Sequence, residues 1–275
     1  MKPTLSRVQS RRPVGIFDSG LGGLTVVKAV QKQVPGENLV YFGDTARIPY
    51  GSKSKDTIIH YTRQIIRFLV KKEKVKVLVV ACNTSSAWAL KEVRREFDIP
   101  ILGVINPGAQ AAVEVTRNGR VGVIGTEGTI TSGAYPDAIH ALNPRAKVFT
   151  QACPLFVPLV EEGKLSGSVT ETVAREYLRP LLRSGVDTLL LGCTHYPLLK
   201  PVLKKIAGPR VRIVDSAEET AKNLRLNLES YGGTASGRVT ATFYVSDLSR
   251  KFKEHAQRFL GRAIPKVEKI FIEKY

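Results

Sequence analysis

Val77-Leu78-Val79-Val80-Ala81-Cys82-Asn83-Thr84-Ser85-Ser86 and Thr188-Leu189-Leu190-Leu191-Gly192-Cys193-Thr194-His195-Tyr196 are two versions of one pattern. In each, an unbroken apolar run ends on a cysteine, and small polar residues follow. An apolar run without alternation, four to eight residues long, reads as a strand buried on both faces, and so as part of a parallel sheet covered by helices. Outward from these two runs the same alternation continues. Further short strands are expected at 14–17, 39–42, 101–104, 121–124, 147–150 and 211–214, with 75–81 and 188–191 containing the two quoted runs. Amphipathic helices are expected at 24–33, 56–71, 85–97, 109–116, 168–184, 198–206 and 217–228. The end of the chain differs, with strands at 240–245 and 267–272 around a helix at 249–260.

A second echo ties the halves together. Val14-Gly15-Ile16-Phe17-Asp18-Ser19-Gly20 resembles Val121-Gly122-Val123-Ile124-Gly125-Thr126-Glu127 at an offset of 107 residues, against 111 for the two cysteines. Two echoes in the same order at nearly one offset imply a duplicated ancestor. The expected fold class is α/β: two similar, doubly wound parallel-sheet domains facing each other across a cleft, with pseudo-twofold symmetry. The expected boundaries are a flexible basic tail over 1–12, a first domain of 13–98 plus 212–275, and a second of 99–211.

The chain has 275 residues and a formal net charge of +18, with three cysteines and four histidines. Sparse, odd cysteines are not a disulfide framework, and no CxxC or HExxH spacing suggests a metal. No apolar run reaches the ~20 residues of a membrane span, and no apolar signal core follows Lys2, Arg7, Arg11 and Arg12. A cytoplasmic protein is expected. The charge leaves three readings open: a polyanionic partner, steering of an anionic substrate, or a solvated surface carrying Lys71, Lys72, Lys74, Lys204 and Lys205. No aromatic-interleaved basic stripe or helix-turn-helix pattern favours nucleic acid.

In open parallel sheets ligands bind beyond the carboxyl ends of strands. Asp18-Ser19, Tyr50-Gly51, Cys82-Asn83-Thr84 and Cys193-Thr194-His195 fall there. All but Tyr50-Gly51 run into expected helices, whose N-termini favour carboxylates and lower a thiol's pKa. Mirrored thiols suit a reaction that removes a proton from one face of a carbon and adds one to the other. Cys153, in Ala152-Cys153-Pro154, has no mirrored counterpart and reads as structural. Asp18 to Thr25 is not a dinucleotide loop, because Asp18 or Ser19 stands where the first glycine belongs and a carboxylate repels a pyrophosphate. Its glycines read as close helix packing, or Asp18 as an auxiliary base or ammonium ligand and Ser19 as a carboxylate ligand. His195 suits proton transfer or a substrate contact.

Residues 15–23, 41–51, 81–87, 103–109, 153–163 and 191–198 resemble, in order, the signature segments of bacterial glutamate racemases. The resemblance implies that Cys82 and Cys193 are the proton donor and acceptor, with Asp18 and His195 as auxiliary acid–base groups. It also implies that Asp18, Ser19, Tyr50, Gly51, Asn83, Thr84, Thr194 and His195 bind L- or D-glutamate. No metal, pyridoxal phosphate or nucleotide is implied as a cofactor. D-Glutamate for peptidoglycan is the implied product; a homodimer is the expected assembly. Residues after about 211 should return to pack with 13–98. Rival readings are an aspartate racemase, a polyanion-binding protein, and a thiol hydrolase using one cysteine with His195.

Overall fold

The apolar runs pair as parallel strands in two sheets. The computed structural model describes residues 10–231, 239–250 and 252–275. Among these residues the first sheet has the order β10-β9-β2-β1-β3-β4 and the second β6-β5-β7-β8. The strands are β1 (Val14–Asp18), β2 (Leu39–Gly43), β3 (Val77–Val80), β4 (Ile101–Gly103), β5 (Arg120–Gly125), β6 (Lys147–Ala152), β7 (Thr188–Gly192), β8 (Arg212–Asp215), β9 (Ala241–Val245) and β10 (Val267–Lys269). The block β2-β1-β3-β4 repeats as β6-β5-β7-β8, so each half uses one strand order and the duplication is visible in the topology. All pairings are parallel; in register, Ile16 lies opposite Tyr41 and Val79, and Val123 opposite Thr150 and Leu190.

The sheets divide differently from the expected 98/99 and 211/212 boundaries. Strand β4 pairs with β3 in the first sheet, and β8 with β7 in the second. A short apolar strand after a helix pairs with whichever exposed edge its connection reaches, and sequence pattern does not name that edge. The late return to the first sheet therefore begins with β9, which pairs with β2, and not with β8. Of the expected tail, residues 1–9 lie outside the described residues. At Ser10 the main-chain oxygen accepts a hydrogen bond from Lys76 Nζ at 2.7 Å.

Helix α1 (Leu24–Gln33) and helix α2 (Lys55–Lys71) cover opposite faces of the first sheet. In α2 the residues Ile58, Thr62, Ile65, Ile66 and Leu69 recur at helical spacing and are buried, while Ser54 caps the start. The expected helix at 85–97 is instead α3 (Asn83–Trp88) and α4 (Leu90–Val93), broken at Ala89. It starts earlier than expected because the Cys82 side chain is the cap, accepting from the Ser85 N–H at 3.5 Å. Helix α5 (Ile105–Val115) starts before the expected 109, since Pro107 sits in a first turn where no N–H is needed. Three short helices were not expected: α6 (Glu127–Thr131), α7 (Ala134–Leu142) and α8 (Phe156–Glu161). Each contains Gly or Pro (Gly128, Pro136, Pro158), which reads as a loop in isolation. They are followed by α9 (Ser168–Arg183), α10 (Lys200–Ala207), α11 (Ser216–Ser230) and α12 (Phe252–Leu260).

Helix α11 packs on α1 of the first half and α5 of the second. The largest apolar cluster accordingly runs through both halves, from Val14, Leu24 and Val77 to Leu191, Tyr196 and Leu224. This shared core holds the carboxyl ends of both sheets against one cleft. No helix among the described residues is long and apolar enough to cross a membrane.

Candidate active site

The cleft encloses a cavity of about 380 Å³ lined from both halves. Ser19 follows β1, Cys82, Asn83 and Thr84 follow β3, and Cys193, Thr194 and His195 follow β7. A 3-10 turn, Tyr50–Ser52, brings in Tyr50 and Gly51. Of the ten residues expected at the site, nine line the cavity; Asp18 does not. Asp18 is fully buried behind Ser19, where the Gly20 N–H donates to it at 3.0 Å and Thr194 Oγ1 at 3.3 Å. Direct ammonium binding by Asp18 is therefore not what this geometry offers. Burial pushes its carboxyl up, against the lowering effect of His195 and of the hydrogen bonds from Gly23, Gly20 and Thr194.

The thiols sit in different surroundings. Burial, with a smaller contribution from the Asp18 charge, pushes the Cys82 thiol up to about 11. Hydrogen bonds from Ser19 and the Ser85 N–H oppose this without winning. The expectation that a helix start lowers this thiol's pKa is thus reversed: a helix of one and a half turns has a weak dipole, and dehydration of a thiolate costs more. Cys193, unlike Cys82, does not enter an α-helix directly, because a 3-10 turn, Tyr196–Leu199, precedes α10. Its Sγ lies 3.9 Å from His195 Nδ1. The other ring nitrogen, Nε2, is 3.1 Å from Glu161 Oε1, and Phe259 packs edge-on against the ring. Burial disfavours the imidazolium, but hydrogen bonds to Cys193 and Glu161 and their charges outweigh it and raise His195 to about 10.

Glu161 and Thr126 line the cavity and were not singled out from sequence. Glu161 stands in the segment 153–163, but its helix α8 was not expected and so its direction was not legible. Thr126 had a usable signal: it is the counterpart of Ser19 in the first internal echo. It joins Thr84 and Thr129 in a hydroxyl cluster at 2.9 to 3.2 Å that bridges α3 and α6. Trp88 Nε1 reaches the Gly128 oxygen at 2.8 Å across the same seam. On the opposite rim Thr25 Oγ1 donates to the Thr194 oxygen at 3.0 Å.

Among the described residues no Lys or Arg lines the cavity; His195 is its one basic side chain, and Glu127 and Glu161 are its carboxylates. Donors are instead hydroxyls and the Asn83 amide, beside an apolar wall of Ile48, Pro49, Pro154, Val157 and Pro158. A zwitterion with a small carbon skeleton fits such a lining. Among the described residues no cluster of three or more His, Cys, Asp or Glu is placed to hold a metal ion. The third cysteine, Cys153, is buried under Phe156 and Tyr196, with its Sγ 3.6 Å from the Gln151 oxygen, and does not line the cavity.

Two parallel sheets of one strand order thus each bring a thiol to one cavity. The chain belongs to the Asp/Glu/Hydantoin racemase family, whose profile matches residues 22–224. A glutamate racemase from Syntrophus aciditrophicus (strain SB) is 51% identical over 260 residues, covering 94% of this chain and 96% of that protein. The crystal structure of glutamate racemase isoform RacE1 from Bacillus anthracis aligns with TM-score 0.91 at 40% identity, over 95% of this chain and 98% of that one. The glutamate racemase from Francisella tularensis subsp. tularensis SCHU S4, crystallised with D-glutamate, aligns with TM-score 0.91 at 39% identity, over 97% of this chain and 100% of that one.

Proposed function

We propose that this chain interconverts L- and D-glutamate by a two-base proton transfer, with Cys82 and Cys193 as the acid and base. The observation that carries the reading is the pair of thiols, one from each sheet, on one cavity that no Lys or Arg lines among the described residues. Removing the α-proton of D-glutamate falls to Cys82 as thiolate, while Cys193 as thiol protonates the opposite face. The reverse roles run from L to D. His195, held by Glu161, exchanges a proton with Cys193 through Nδ1. Asp18 acts through Cys82, because a buried carboxylate beside it favours the thiol form and so makes Cys82 a ready donor. Glu161 is thus a positioning group for His195.

An α-hydrogen beside a carboxylate is a very weak acid, and a free thiol of pKa ~8.5 is a modest base. Positioning and a dehydrated cavity must therefore supply most of the rate. Ser19, Asn83, Thr84 and Thr194, with neighbouring main-chain N–H groups, hold the two carboxylates as charge develops on the substrate. Tyr50 and Gly51 shape the floor: the Tyr50 hydroxyl is tied to Asp44, which fixes the turn. The D-glutamate made would serve peptidoglycan synthesis in the cytoplasm, with a homodimer as the working assembly and no nucleic acid required.

The test is α-proton exchange followed by NMR in D2O with L- or D-glutamate, and with aspartate as the alternative substrate. Exchange with inversion of glutamate supports the reading, and exchange of aspartate alone would reassign the substrate. Replacing either cysteine by Ser should abolish racemisation in both directions. Normal racemisation by Cys193→Ser would end the two-thiol scheme.

A further inference from the structure

We propose that Tyr135 is a positioning residue for substrate binding: its hydroxyl holds the Asn83 amide by its oxygen, so that the unpartnered amide nitrogen is the end left for a substrate carboxylate. The inference rests on the reading of Asn83 as a substrate ligand. Tyr135 is itself absent from the cavity lining, and it belongs to the other half of the molecule, on α7. Its ring is 1% exposed and passes so close to the main chain that a Cβ on Gly192 would lie 3.0 Å from it, and one on Gly108 3.3 Å. Glycine at both places leaves room for a tyrosine to reach through to β3's end. There its hydroxyl donates to Asn83 Oδ1 at 2.6 Å.

An asparagine amide is nearly symmetric in shape but not in chemistry. One rotation by half a turn exchanges a two-proton donor for an acceptor. Asn83 is buried and lines the cavity, and its Nδ2 has no hydrogen-bond partner among the described residues. A carboxylate substrate accepts hydrogen bonds only, so it is matched by Nδ2 and repelled by Oδ1. Burial pushes the Tyr135 hydroxyl up, so it remains a proton donor wherever the enzyme works. Beside the Ser216 side chain, which also hydrogen-bonds to Tyr135, its proton goes to Asn83 Oδ1, and the amide nitrogen is left for the substrate. Because the bond joins the two halves, the amide is set only where they meet.

The experiment is steady-state kinetics of Tyr135→Phe, alone and with Asn83→Ala, alongside thermal unfolding. Tyr135→Phe should raise KM for both enantiomers by about tenfold, the range expected when one buried hydrogen bond is lost, with kcat changed less than about threefold. In the Asn83→Ala background the same substitution should leave KM unchanged, because there is no amide to orient. A merely structural tyrosine would lower the melting temperature without moving KM, or would add its full effect in the double variant; either result overturns the proposal. If Asn83→Ala leaves KM unchanged, the reading of Asn83 as a ligand fails and the proposal falls with it. If Asn83→Ala raises KM but Tyr135→Phe does not, the positioning role alone is wrong. Asn83→Asp serves if Tyr135→Phe does not fold: it keeps an acceptor for Tyr135 and replaces the donor by a charged oxygen that repels a carboxylate, so KM should rise with stability retained. Unchanged KM with lost stability would mean that the amide sits the other way round.

Discussion

Replacing Gly22 by Ala should cripple the enzyme through one methyl group that never touches the substrate. A Cβ at Gly22 would lie 2.2 Å from Thr194 Oγ1, 2.4 Å from His195 Nδ1 and 2.6 Å from His195 Cε1. Ordinary contact between such atoms begins near ~3.5 Å, so a gap of about 1 Å must be opened. Neither neighbour is free to move. His195 is tied to Glu161 at 3.1 Å and packed on Phe259, while the Thr194 side chain donates to Asp18 and its main-chain oxygen accepts from Thr25. Overpacking of this kind costs about 1–3 kcal/mol of stability, and a displacement of ~1 Å at reacting groups costs ~100-fold in rate. The assay is racemisation from each enantiomer by circular dichroism at saturating glutamate, with thermal unfolding as the control for folding. The result expected is a folded protein with kcat down by ~100-fold and no gain from added substrate. A folded Gly22→Ala enzyme within about threefold of the parent rate would refute the claim that His195 and Thr194 must sit where they are.

Two further perturbations probe charge. His195 is raised to about 10, so its contribution to stability is fully present below its unfolded value of ~6.5 and is lost as pH climbs through about 10. Glu161→Gln removes one of the groups that raise it, so that loss should set in at lower pH; denaturant titrations from about pH 6 to pH 10 check this, and identical pH–stability curves would be the contrary result. The Lys76–Glu37 ion pair, 2.6 Å long with both side chains fully buried, lies at the amino ends of β1 to β3, far from the cavity. Lys76→Met should cost about 3–5 kcal/mol in urea unfolding while the folded enzyme keeps its rate. A cost below about 1 kcal/mol would show the pair to be dispensable.

Much of the site was readable before folding because its chemistry is written in local periodicity. An apolar run fixes where a strand ends, and the residue after that end is presented to the cleft. This is why Cys82, Cys193, Ser19, Asn83, Thr84, Thr194 and His195 were legible, and why two echoes at offsets of 107 and 111 sufficed to expect two halves. Tyr50 and Gly51 came through family resemblance and turn chemistry instead. Glu161, on a short helix interrupted by Pro158, and Tyr135, on one carrying Pro136, carry no local signal of this kind.

The number of layers, the parallel strands and the two mirrored thiols belong to the linear pattern, since burial on both faces demands continuous apolar strands and strand ends demand exposed chemistry. Which sheet takes β4 and β8, which end of the Asn83 amide Tyr135 holds, and whether burial outweighs a helix end at Cys82 belong to the folded chain. Each of these depends on groups many residues apart. Pairing partners, hydrogen-bond partners and loss of water are properties of a neighbourhood, and the neighbourhood exists only after the two halves have packed around α11.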